Sequence, residues 1–211
     1  MEPQTPISRN ERHVLHTRGI TLLQSRHREI RRLKREAEPT IHGNKVWNSS
    51  YLIMDHLTRE GFPRGGHLLD LGCGWGPLAL FAAKRFDARV TAMDADPDVF
   101  PYLELHAAIN NVEIETLQCT FEKLTKKQMQ GVHTLAGADV CFWDSLTPIQ
   151  FNLIRRALKA GVKRVIIADP GRDPFYNLVE KCREKFPTRL LDRRTSTPRP
   201  ASADLLVIER D

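Results

Sequence analysis

No stretch of this chain stays apolar for the ~18 residues that a membrane-crossing helix needs. Its first residues, MEPQTPISRNERH, hold no apolar segment of the kind a secretory leader carries. Both absences point to a soluble, cytoplasmic protein that makes no membrane contact. Cysteine is scarce: Cys73, Cys119, Cys141 and Cys182 stand 46, 22 and 41 residues apart. Those intervals match no zinc or redox motif and no disulfide framework, so the four read as reduced, mostly buried thiols. The eight histidines show no metal-ligand spacing either, and no metal site is expected. His42, beside Gly43 and near Trp47, is the one histidine worth testing, with a plain loop position as its alternative. Repeats and low-complexity tracts are also missing.

What is present is enough chain, 211 residues with 41% hydrophobic content, to close one sizeable core with a short appendage. The net charge of +6 is placed unevenly, because residues 1–45 hold ten Lys/Arg against five Asp/Glu and the remainder is nearly neutral. Within that part, RHREIRRLKRE (26–36) suits contact with nucleic acid or an acidic protein, or else a solvated helix face, since Ile30 and Leu33 interleave with Glu29 and Glu36. Two parts are expected: a basic arm or helix over 1–40 and a compact domain over 41–211. Oligomeric state leaves no mark on the sequence.

From residue 49 the pattern predicts a helix, SSYLIMDHLTRE, started by a serine cap. Five short apolar strands then alternate with helices: HLLDL, ARVTAMD, VEIETLQ, VHTLAG and VKRVIIAD precede GPLALFAAKRF, DVFPYLELHAAIN, FEKLTKKQMQ, PIQFNLIRRALKA and PFYNLVEKCREKF. Two late strands, near TRLLDR and DLLVIER, follow without a helix between them and should be antiparallel. The fold class is therefore α/β: a doubly wound, mainly parallel, seven-stranded sheet with an antiparallel last strand and an N-terminal helical extension.

DLGCGWG (70–76) places bare main chain where the first of these strands meets its helix. Such a loop brings unobstructed N–H groups and the positive helix end to a ligand. The dinucleotide fingerprint wants its third glycine where Pro77 stands, and no Gly-Lys-Ser/Thr follows as in a P-loop. The glycines at 72, 74 and 76, preceded by Asp70, instead resemble motif I of the class I S-adenosylmethionine (SAM) methyltransferases. Asp94 ends the next strand 22 residues after Gly72, the distance one βαβ unit requires, where a carboxylate can accept from both hydroxyls of a ribose. Asp96 reads as the cap before Pro97.

The resemblance covers about residues 41–210 and implies a Rossmann-like methyltransferase fold with SAM as cofactor and S-adenosyl-L-homocysteine as product. It implies that Asp70, Gly72, Gly74, Gly76 and Asp94 hold the cofactor. Many members carry an acid just after the third strand to bind the adenine amine. Here that place holds Thr120 and Phe121, with Glu122 one position late, so Glu122 or the Phe121 backbone is assigned the contact.

Two further stretches resemble one branch, the family-16-like protein lysine methyltransferases and their nicotinamide N-methyltransferase-like relatives. KVWNSSYLIMDHL resembles their Val-Trp-x-Ser segment, and LAGADVCF their Asp-x-x-Tyr/Phe motif, falling on Asp139 and Phe142. The resemblance implies N-methyl transfer to a protein lysine or a small-molecule amine. Asp139 would orient the amine, Phe142 and Trp47 would form an aromatic wall, and Trp143, Asp144 and Arg172 would stand near the acceptor. Asp-Pro-Gly-Arg runs like 169–172 occur in the branch that methylates electron-transfer flavoprotein lysines. Nothing resembling Asn-Pro-Pro-Tyr is present to clamp a planar base, which counts against flipped adenine or cytosine. Each side chain has a structural alternative: core packing for Trp47 and Phe142, a cap or turn for Asp139, a type II turn for the Pro-Gly pair. Trp75 either shields the cofactor or lies on the surface.

Overall fold

The computed structural model describes residues 13–43 and 45–210. In the β-rich body, alternate residues of each strand serve opposite faces of one sheet. Strands β3 (His67–Leu71), β4 (Arg89–Asp94), β5 (Glu115–Gln118), β6 (Thr134–Ala138) and β7 (Arg164–Asp169) run parallel. Strands β8 (Thr188–Thr195) and β9 (Ala201–Glu209) complete seven, in the order β5-β4-β3-β6-β7-β9-β8, with β9 antiparallel to both neighbours. Leu68, Val90, Ile166 and Val207 join one apolar core, while their strand neighbours Leu69, Met93, Val165 and Leu206 join the other. Helices α2 (Ser49–Glu60) and α3 (Pro77–Phe86) cover the first face, and α5 (Leu146–Lys159) and α6 (Asp173–Arg183) the second.

The sheet order sets the place of a ligand. The chain steps outward from β3 through β4 to β5 and then returns to the far side of β3 as β6. At such a reversal the loops after β3 and β6 leave in opposite directions and open a crevice at the carboxyl ends of the strands.

Two sequence expectations are corrected. Residues 121–130 form turns, not a helix. The Arg156 guanidinium, from α5, donates to the carbonyls of Phe121 (2.6 Å) and Leu124 (3.3 Å), and the Thr125 N–H donates to the Gln128 side chain (2.9 Å). Leu124 N–H reaches the Thr120 carbonyl (3.2 Å), but the next helical bond, Thr125 N–H to Phe121 C=O, is thereby denied at both ends. Leu124 and Met129 still bury themselves in the core beneath. The second correction is at α2, where Asn48 is the N-cap residue and makes no side-chain cap bond. Ser50 Oγ donates to the Trp47 carbonyl (2.6 Å), and the Ser49 N–H is taken by Asp139 Oδ2 (3.4 Å).

Before α2 stands an element that the sequence reading does not contain, a hairpin of β1 (Val14–Thr17) and β2 (Ile20–Leu23). Its two-residue turn, Arg18-Gly19, takes positive φ at both positions, 49° and 79°, as a tight hairpin of right-twisted strands requires. Ile20 and Leu22 enter the main core. Asn110, at the end of α4 (Phe100–Asn110), completes the free edge of β2: it accepts from the Thr21 N–H and donates to the Thr21 carbonyl, both at 2.8 Å. Next to it His106 Nε2 accepts from the Leu23 N–H at 2.9 Å. Arg18, at the hairpin tip, grips Asp55 of α2 with two bonds of 2.6 and 2.7 Å. The basic run that follows is a helix, α1 (Arg28–Glu36), seated through Ile30 and Leu33 with Arg32 bridging Glu29 and Glu36 outside. Residues 1–12 of the basic arm lie outside the described residues.

Candidate active site

The three loop glycines behave differently. Gly76 has φ 76°, and a Cβ placed there would clash with Leu103 Cδ1, so it is glycine for packing against α4. Gly74 has φ 52° with open space where a Cβ would stand. Its N–H donates to Asp94 Oδ2 (3.0 Å), and Asp94 Oδ1 accepts from Asp96 N–H (3.0 Å). The loop is thus tied to the end of β4, with lone pairs left on the Asp94 carboxylate. Burial raises the Asp94 pKa, partly offset by the Asp96 and Gly74 N–H groups. Asp96 caps the short 3-10 turn at Pro97–Val99 by accepting from Asp98 N–H, and also holds Thr40 and Ile41.

Asp70 lies beneath the loop, 3% exposed. Burial pushes its carboxyl up to about 8, opposed by the Ala79 N–H and aided by the nearby Asp94 charge. Its Oδ2 is buried without a partner. A buried oxygen in that state is costly, and a ligand group reaching it would be rewarded. Asp70, Gly72 and Gly74 together border a gap of about 30 Å³ behind the loop.

Above the loop is a mostly apolar cleft of about 240 Å³ at the ends of β3, β4, β5 and β6. Gly72, Gly74 and Asp94 form its floor, and Thr120, Phe121 and Glu122 its far wall. Trp47, Asp139, Phe142 and Trp143 close the opposite side. Sequence reasoning assigned no role to Ile41, Met93, Cys119 or Leu146, which also line it. Their only signal was position, each standing next to a residue already singled out or at the end of a strand or helix.

The aromatic side has a definite geometry. The His42 ring stacks on Phe142 with centroids 4.2 Å apart and lies 5.4 Å from Trp143, while Trp47 meets Phe142 edge-on at 5.6 Å. Trp47 Nε1 donates to the His42 carbonyl (2.9 Å), which fixes the loop that carries both. Asp139 adopts φ 57°, a left-handed conformation that aspartate tolerates better than most residues, and is 5% exposed. Its Oδ1 accepts from Arg172 at 3.1 Å, and Oδ2 receives only the long Ser49 bond.

Arg172 does not line the cleft. It binds Asp169 at 2.7 Å as well as Asp139, and its guanidinium lies 4.4 Å over the Phe142 ring. Asp169, whose carboxyl is raised by burial against the lowering effect of Arg172, also accepts from the Gly171 and Arg172 N–H groups. Two carboxyl groups therefore share one guanidinium, an arrangement favourable to an added cation. The sequence reading missed Asp169 as the anchor of Arg172, although its i,i+3 spacing in an Asp-Pro-Gly-Arg turn was visible. Asp144 accepts from Asn177 at the exposed surface and does not line the cleft. Trp75 is 1% exposed and stacks on Tyr102 at 5.1 Å, behind the loop. Cys73, Cys141 and Cys182 are free thiols raised by burial and hence weak nucleophiles. Among the described residues no cluster of three metal-ligating side chains occurs.

A glycine-loop crevice at the reversal point of a seven-stranded sheet, with strand β9 antiparallel, defines the class I methyltransferase fold. Residues 68–161, which hold the glycine loop, Asp94 and Asp139, match the family described as a methyltransferase domain. The chain is 30% identical over 112 residues to the electron transfer flavoprotein beta subunit lysine methyltransferase of Xenopus laevis, covering 53% of this chain and 45% of that protein. It is 40% identical over 77 residues to ribosomal RNA small subunit methyltransferase C of Pseudomonas fluorescens, covering 36% of this chain and 22% of the other. The chain thus spans less than half the length of these relatives. Among solved structures, precorrin-6y C5,15-methyltransferase from Geobacter metallireducens superposes with a TM-score of 0.61 at 8% identity, over 84% of this chain and 95% of the other, a likeness of fold. No described helix is long and apolar enough to cross a membrane.

Proposed function

We propose that this protein is a SAM-dependent N-methyltransferase whose acceptor is a protein lysine. The observation that carries the reading is the meeting of four aromatic rings with a buried, half-satisfied carboxylate at one mouth of the cleft. His42, Trp47, Phe142 and Trp143 wall this mouth against water, and the indole faces of Trp47 and Trp143 can attract an ammonium, while Phe142 already carries the His42 ring and the Arg172 guanidinium. Asp139 Oδ2, held by one long bond, has room to accept from an amine, while Arg172 fixes the other oxygen and prevents the carboxylate from turning. Because the backbone of Asp139 is also tied to β7 through its N–H to the Ala168 carbonyl (2.8 Å), the oxygen position is set from both sides.

The cofactor's fit rests on the open Gly74 position, the unpartnered Asp70 Oδ2 and the remaining lone pairs of Asp94. Gly72, Gly74 and Asp70 would hold its aminoacyl end, Asp94 its ribose, and Phe121 or Glu122 its adenine. When bound it supplies an electrophilic methyl on a positive sulfur. The residues of this chain do the rest by positioning, which can account for most of the acceleration of an in-line displacement. Asp139 first orients the amine, and the aromatic rings then shield it once its proton has left to solvent. The Xenopus laevis relative, named for lysine methylation, favours this acceptor over others.

The test is incubation with methyl-labelled SAM and a cell lysate, followed by separate protease and nuclease digestion. Label released by protease is the expected result. Label released by nuclease would assign a nucleic acid, label in the small-molecule fraction a free amine or alcohol. Cofactor binding without transfer in any fraction would make the chain a binding module and refute the enzyme reading.

A further inference from the structure

Behind the glycine loop, on the side away from the cleft, lies a larger cavity of about 610 Å³. It is bounded by the β1–β2 hairpin, the loop at Lys45 and Val46, and the β8–β9 turn at Pro198 and Arg199. It shares no lining residue with the cleft. Its walls hold three permanent cations, Arg26, Lys45 and Arg199, together with His13, and no described lining residue is acidic. Arg26 and Arg199 have no carboxylate partner among the described residues. The remaining wall combines polar Gln24 and Ser25 with apolar residues that include Leu22, Leu23, Val46 and Trp75.

A second, independent observation concerns Tyr51 and Trp75, both 1% exposed and both lining this cavity. The Tyr51 hydroxyl and the Trp75 indole N–H are buried and make no hydrogen bond. Buried donors are paired in the great majority of folded proteins, and an exception calls for a ligand or an ordered water. Two such donors stand beside Arg26 and Arg199, which have no carboxylate partner, and Lys45, whose ammonium lies 4.0 Å over the Trp47 ring; one chemistry matches them, an anion rich in acceptor oxygens joined to an apolar body. A carboxylate would satisfy one cation. A phosphate carries nearly two charges and three acceptor oxygens.

We propose that this cavity binds a small organic phosphate, with the phosphate among Arg26, Lys45 and Arg199 and the apolar part against Leu22, Val46 and Trp75. The site is independent of the methyl-transfer reading. Its volume lies within the roughly 300–1,000 Å³ of small-molecule sites. Trp75 belongs to the glycine loop, so an occupant would press on the main chain from behind.

The test is calorimetric titration of the full chain at low salt with phenyl phosphate, and separately with its two halves, phenol and inorganic phosphate. Phenyl phosphate should bind with a submillimolar Kd, inorganic phosphate about tenfold more weakly, and phenol not measurably. Raising the salt to physiological strength should weaken phenyl phosphate by several-fold, through screening of the cations. The double variant Arg26→Gln/Arg199→Gln should lose about tenfold or more in affinity at an unchanged Tm, since both side chains are exposed. No heat with phenyl phosphate up to ten-millimolar concentration (about the weakest affinity of interest) would overturn the proposal. So would binding that survives the double variant intact, which would place the heat elsewhere. A parallel titration with S-adenosylhomocysteine reports on the cleft alone and should give the same affinity in both proteins.

Discussion

The two ends of the cleft are built from different materials. At the glycine-loop end the lining is main chain and one carboxylate, all supplied within residues 70–96 and tied together by short bonds from Gly74 and Asp96 to Asp94. At the aromatic end it is side chains from segments far apart: Asp139 bonds to Ser49 across 90 positions and to Arg172 across 33. A ligand met by main chain is recognised by shape common to many proteins, whereas one met by converging side chains is recognised by features particular to this chain. The first end should therefore tolerate little change and the second should decide what is modified.

The sharpest way to break that contrast is Asp139→Ala. Turnover should fall by about a hundredfold or more, equivalent to about 2.7 kcal/mol of transition-state stabilisation. Affinity for S-adenosylhomocysteine by calorimetry should stay within a few-fold, and equal losses in both would put Asp139 at the wrong end. Next in size is Gly76→Ala, whose new methyl would meet Leu103 in a backbone conformation alanine resists. A loss of about 3 kcal/mol in urea unfolding is expected from overpacking and strain together. Gly74→Ala meets nothing and should cost only ~1 kcal/mol of stability, yet weaken the cofactor about tenfold by filling the open cradle. Should the two glycine variants show the same ratio of stability to affinity loss, the distinction between a packing glycine and a binding one is wrong.

The smallest effect is confined to the hairpin. His106 accepts from Leu23 N–H through Nε2 and faces the Tyr102 carbonyl through Nδ1 (2.7 Å), so the neutral ring is the form that fits. Burial lowers its pKa to about 4, partly offset by these two backbone contacts. The unfolded chain binds this proton below about pH 6.5 and the folded chain only near 4. Stability from this group is therefore complete above pH 6.5 and is lost as pH falls toward 4. Hydrogen exchange should show the protection of the Leu23 amide dropping severalfold between pH 7 and pH 5, with the amides of β3 unaffected.

How much of this was legible beforehand follows the same contrast. Alternating strands and helices, the seven-strand sheet and the antiparallel β9 come from local periodicity, and so does the glycine loop, since Gly72 and Asp94 are separated by one βαβ unit. Asp139, Phe142 and Trp47 were singled out through short motifs, and the structure brings their side chains to one mouth. What those motifs did not carry were the partners: Ser49 for Asp139, Asp169 for Arg172, and the His42 stack. No periodicity reports a bond between chain-distant turns. The helix expected over 121–130 failed for a related reason, because the arginine that takes its carbonyls lies in α5. The hairpin escaped notice although VLHT-RG-ITLL carries a tight-turn signal, since the surrounding positive charge drew the reading toward a solvated arm.

Leu23 of strand β2 and Tyr102 of α4 pack with Trp75, so part of the floor of the glycine loop is laid by amino acids that precede it by fifty positions. Anyone transplanting the crevice into another scaffold, or trimming the chain to its sheet, would have to carry that small ribbon along, or accept a loop resting on nothing.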